Sequence, residues 1–100
     1  MKADKLLEEL IELGKSMGFA IRREAGTFRG GPCVLHEEKI ILINRIMMPE
    51  AAAVILARAL VRYDVDESFL KPAVRDILDR ERAYVAKHPD VRIEPRTEAA

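Results

Sequence analysis

Four consecutive aliphatic residues, Ile40-Ile41-Leu42-Ile43, constrain this chain more than any other feature. Successive side chains of a strand point to opposite sides, so this run leaves neither face polar. Such a strand sits inside a sheet with apolar cover on both sides. Helices supply one cover, and the other is assigned to a second element or a second chain. The same segment continues through Lys39 and Asn44, and Cys33 to His36 precedes it, so the two read as a short hairpin turning through Glu37-Glu38.

The flanking segments supply the helices. From Ala3 to Met17, Leu6, Leu10, Leu13 and Met17 recur at spacings of four and three, while Lys5, Glu8, Glu9, Glu12 and Lys15 take the other side. Gly18 is the natural stop of this amphipathic helix, because glycine enters the left-handed region without steric penalty. Phe19 to Ala25 then alternates apolar and charged residues, which predicts an edge strand. The stretch Gly26 to Pro32 holds three of the five glycines and reads as the main loop. Pro49 and Glu50 open a helix running to about Tyr63, interrupted on its apolar surface only by Arg58 and Arg62. Pro72 disfavours a helical Lys71, so a turn and a separate helix follow, with Val74, Ile77, Leu78 and Val85 as the inward stripe. The expected fold is α+β: an N-terminal helix, a small three-stranded, mainly antiparallel sheet and two C-terminal helices in one domain over residues 1–87, with 88–100 as a loose tail.

Seventeen basic residues balance 17 acidic ones. That balance argues against a nucleic-acid or membrane-surface binder that works by charge. The longest apolar runs fall far short of the roughly 20 residues that span a bilayer. The single cysteine, Cys33, has no internal partner for a disulfide, and the first residues alternate charge with leucine where a secretory signal needs a continuous apolar run. A cytoplasmic protein is expected.

Candidate chemistry is sparse. Glycine-rich loops cradle phosphates where they lead into a helix, whereas Gly30-Gly31 leads into Pro32, which has no N–H, and then a strand. Cys33 and His36 have a metal-like spacing, but two ligands do not make a tetrahedral site, and the two positions point to opposite faces of a strand. No metal or cofactor is implied. Arg58 and Arg62 lie four apart and share one side of an otherwise apolar helix. One reading has them snorkel at the solvent edge beside Glu50, Asp64 or Asp66; the other makes them, with Arg29, an anion or carboxylate clamp served by the Gly26–Cys33 loop.

The order of features over Lys39 to Tyr63 resembles the minimal core of zinc metallopeptidases, the zincins, in particular the small peptidases that cleave phage-type repressors. Ile41-Leu-Ile-Asn44 stands where that family has its strand, and Leu56-Ala-Arg-Ala-Leu-Val-Arg62 where it has the helix with His-Glu-Leu-Gly-His. The resemblance spans a quarter of the chain and places Arg58 and Arg62 at the two zinc-histidine positions and Ala59 at the catalytic glutamate. Arginine does not ligate zinc and alanine does not activate water, so it implies a scaffold without the chemistry, and no catalytic residue carries over. The stretch Gly30 to Leu78 is also similar to small bacterial proteins, which implies no activity. The functional expectation is a non-enzymatic interaction or scaffold module that forms a homodimer through the sheet or the region Ile40 to Met48. Ile41, Ile43, Ile46, Met47 and Met48 are the candidate interface residues, because methionine offers adaptable apolar contact. The rival is the anion binder or enzyme built on Arg29, Arg58 and Arg62.

Overall fold

The computed structural model describes residues 1–25, 30–35 and 38–88, with side chains for 1–25 and 39–88. In chain order the elements are α1 (Ala3–Ser16), β1 (Ala20–Glu24), β2 (Gly30–Leu35), β3 (Glu38–Asn44), α2 (Pro49–Leu60) and α3 (Pro72–Lys87). The expected α+β class and helix order hold.

The sheet departs from expectation. Its order is β1-β3-β2, with β3 antiparallel to β2 and parallel to β1. A mainly antiparallel sheet is therefore corrected to a mixed one. The chain reverses direction at each connection, so β1 and β3 run the same way. β3, which carries the run Ile40 to Ile43, takes the centre and pairs with both neighbours. β1 is an edge strand as expected. Gly30 to Pro32, expected in a loop, belong to β2, where an edge position tolerates the missing N–H of Pro32. Of the turn expected at Glu37-Glu38, Glu38 belongs to β3 and pairs with Leu35, and Glu37 lies outside the described residues.

The helices lie on one side. Leu7, Leu10, Ile11 and Leu13 of α1, Ile41 and Ile43 of β3, Leu56 and Leu60 of α2, and Val74, Ile77 and Leu78 of α3 form one core. α2 is its axis, in contact with α1, α3, β2 and β3. Four alanines, Ala52, Ala53, Ala57 and Ala59, are buried on it and let its neighbours approach closely. Gly14 does the same for α1: a Cβ there would lie 3.0 Å from Ile21 Cδ1 and 3.6 Å from Leu60 Cδ2. α3 packs on α1 and α2, its start tied to α1 by the Lys71–Glu9 ion pair.

Helix ends follow local chemistry. Pro49 and Pro72 each occupy the start of a helix, and Lys71 is extended (φ −68°, ψ 149°), as a residue before proline must be. α2 stops at Leu60, three residues short of the expected Tyr63, and turns there with Tyr63 N donating to Leu60 O. α1 ends in a Schellman motif: Phe19 N donates to Gly14 O and Gly18 N to Lys15 O, both at 3.0 Å, with Gly18 at φ 96°. Gly18→Ala places a Cβ in that left-handed conformation. It will cost about 1–2 kcal/mol in chemical denaturation, with Gly18→Asn closer to the parent.

Candidate functional site

The residues singled out by sequence divide sharply on the structure. Ile41 and Ile43 are not an interface; both are buried in the chain's own core, the place a central strand under helices must put them. Met47 is half-buried against that core, while Ile46 and Met48 are exposed in the β3–α2 connection. Arg29 lies outside the described residues, as does His36 of the Cys33/His36 pair. Among the described residues no group of three or more metal-ligating side chains assembles, and no helix is long and apolar enough to cross a membrane.

Arg58 reaches inward rather than to solvent. Its Nε donates to Glu81 Oε1 of α3 at 2.9 Å, with the side chains 18% and 7% exposed, and its guanidinium lies 4.1 Å from the Tyr84 ring centroid. Tyr84 in turn stacks on His88 at 4.3 Å. The clamp's central cation thus already has a carboxylate and an aromatic face from within the chain. For Arg58 the partner is Glu81, which sequence reasoning assigned to the surface of the last helix and which is buried. Arg62 also has a partner within the chain.

Another place gathers apolar and charged groups at an open surface, and sequence reasoning missed it. A groove of about 630 Å³ runs between the end of α1 (Leu13, Ser16, Met17), Phe19, Lys39 at the start of β3, and the α2–α3 connection (Tyr63, Asp64, Asp66, Phe69, Leu70). The Schellman turn at Gly18 swings Phe19 back under α1, where it is buried and meets Tyr63 edge-to-face with centroids 4.9 Å apart. Lys39 Nζ stands 5.9 Å from the Phe19 ring and 6.0 Å from the Tyr63 ring, close enough for a weak cation–π attraction. Asp66 accepts the backbone N–H and the hydroxyl of Ser68, at 3.0 and 2.7 Å, which hold its carboxyl below the usual range, the hydroxyl contributing most. Ser16 Oγ is spent on Leu13 O at 2.7 Å.

Phe69 flanks this groove and is 95% exposed. A phenylalanine fully in water forgoes about 1.5–3 kcal/mol of burial. The legible signal was a large aromatic within Asp64-Val-Asp-Glu-Ser-Phe-Leu-Lys71, a segment otherwise suited to a turn. The groove offers a partner aromatic rings, one of them protruding, and charged side chains, with the Ser16 hydroxyl and the Asp66 carboxylate already engaged. That is equipment for recognition. Comparison of the chain with protein-family models, curated proteins and solved structures gives no match.

Proposed function

We propose that the chain is a non-enzymatic interaction module that pairs with a second copy of itself through the groove beside Phe69. The observation that carries this reading is the 95% exposure of Phe69 next to an aromatic hollow. A two-fold interface sets one patch against itself, so the patch must contain both a projection and a recess. Here the projection is Phe69 and the recess lies over Phe19 and Tyr63. The lining also carries both signs, Lys39 with Asp64 and Asp66, and a patch of mixed charge set against itself can bring opposite signs together. Buried aromatic anchors dominate such interfaces.

The lone cysteine and the even charge fit a cytoplasmic setting and a protein partner rather than nucleic acid. The Arg58–Glu81 pair supports the scaffold reading of the zincin resemblance: the position of the first zinc ligand serves helix packing instead. Ile46 and Met48 are the competing surface kept from the sequence expectation.

Light scattering and sedimentation equilibrium at micromolar concentration test the proposal. The parent chain is expected to be dimeric, Phe69→Asp monomeric with an unfolding midpoint equal to the parent's at dilutions where the parent has dissociated, and Ile46→Asp/Met48→Asp still dimeric. A parent chain that stays monomeric throughout, or a dimer that Phe69→Asp leaves intact, overturns it.

A further inference from the structure

The connection between α2 and α3 is tied down along its length. Val65 and Leu70 pack against the core at either end of it. Between them Asp66 accepts both the backbone N–H and the hydroxyl of Ser68, at 3.0 and 2.7 Å. Glu67 is held from α3, where Arg82 donates one guanidinium nitrogen to Glu67 Oε2 and the other to Asp79 Oδ1, each at 2.9 Å. Lys71 closes the segment with its ion pair to Glu9 of α1. From Val65 to Lys71, every side chain but one is thus engaged within the chain, and that one, Phe69, is 95% exposed.

That contrast has a physical reading. A loop that moved freely would spread Phe69 over many positions, and docking would first have to freeze it. Here the backbone on both sides of Phe69 is already fixed: the Asp66–Ser68 turn sets its approach and the Leu70 anchor its exit. A single exposed ion pair restrains little, but Arg82 bridges two carboxylates, so Glu67 is gripped by a guanidinium that Asp79 orients. The recess is equally preformed, since Phe19 is buried and meets Tyr63 edge-to-face at 4.9 Å. A projection and a recess that both exist before contact suit rigid-body docking between two folded copies. A segment that folds as it binds needs neither.

We infer that Asp66, Glu67 and Arg82 are positioning residues, which hold Phe69 out in the one geometry that the recess of a second folded copy receives. The partner is then a preformed surface and not a flexible peptide. This rests on the pairing proposed above and adds what makes its anchor fit. Arg82 acts on Phe69 only through Glu67, from 15 residues further along the sequence.

Two measurements test it. In a Phe69→Ser background, monomeric on this reading, NMR relaxation of the backbone amides reports the mount without the interface. The amides of residues 68 and 69 are expected nearer the rigid order parameter of about 0.85 than the flexible value of about 0.6, and adding Asp66→Ala/Glu67→Ala should reverse that. In the otherwise unchanged chain, Asp66→Ala/Glu67→Ala should weaken dimerisation about tenfold and barely move the unfolding midpoint of the dissociated chain. Asp66→Asn, whose side-chain carbonyl accepts the same two bonds from Ser68 without the charge, should stay within about twofold of the parent. Residues 68 and 69 nearer the flexible value in Phe69→Ser overturn the inference. So does a double variant that pairs as tightly as the parent, or Asp66→Asn pairing as weakly as the double variant. A parent chain that is monomeric throughout instead overturns the pairing and with it the choice of partner, while the order parameters still decide whether Phe69 is rigidly held.

Discussion

Glu81→Ala will destabilise the fold by about 2–4 kcal/mol, because it leaves the Arg58 guanidinium in a largely buried site without its carboxylate. The loss is one-sided: the pair itself is close to neutral against an apolar replacement, while half of it is costly. Arg58→Met with Glu81→Leu is therefore expected to recover most of the loss, since methionine keeps the contact with Tyr84. Urea unfolding of the two single variants and the double gives the coupling directly. A Glu81→Ala chain within 0.5 kcal/mol (about the effect of an ordinary surface change) would mean that water reaches Arg58 and that the helices do not depend on the pair.

Leu56→Ala will be at least as damaging. Leu56 is fully buried at the middle of α2, the one helix that touches α1, α3 and two strands. Of the four helix positions one turn away, three are alanines (Ala52, Ala53 and Ala59), too short to collapse into the space it leaves. The expected cost is about 3–5 kcal/mol, the upper part of the range for such truncations. For a domain of this size that lowers the melting temperature by more than about 10 °C. Ile55→Ala, one position along and half-buried, is the control and should cost about half as much. Equal losses at the two positions would contradict the placement of α2 at the centre.

The helices were legible because their signals are local. Pro49, Pro72 and Gly18 each fix a backbone conformation by themselves, and Leu6 to Met17 displays its period in the sequence. Reading Ile40 to Ile43 as a strand covered on both sides was sound, but assigning Ile41 and Ile43 to an interface was not; their helix-side cover is α2, which the same sequence supplies. The parallel β1–β3 pair was illegible because nothing in either strand records which neighbour it meets. That choice is made by the crossing to β2 and by the helices beneath. Arg58 and Arg62 were visible as an anomaly on an apolar helix, yet Glu81 lies 23 residues on in sequence and looks like any other charge of α3. Phe69 was passed over for the opposite reason. A single aromatic in a turn has no period, and only its 95% exposure beside Phe19 and Tyr63 gives it meaning.

The strand order also dictates when folding begins on the ribosome. β1 and β2 do not touch each other, and each pairs only with β3. A nascent chain that has emerged as far as residue 37 therefore owns two strands and not one native ladder. The oily side of α1 must wait longer still, since its main partner is α2, which ends at Leu60. Long-range closure of this kind slows folding and leaves early segments open to wrong partners. Translation must deliver the chain through β3 before either edge strand has its ladder, and through α2 before α1 has its main cover.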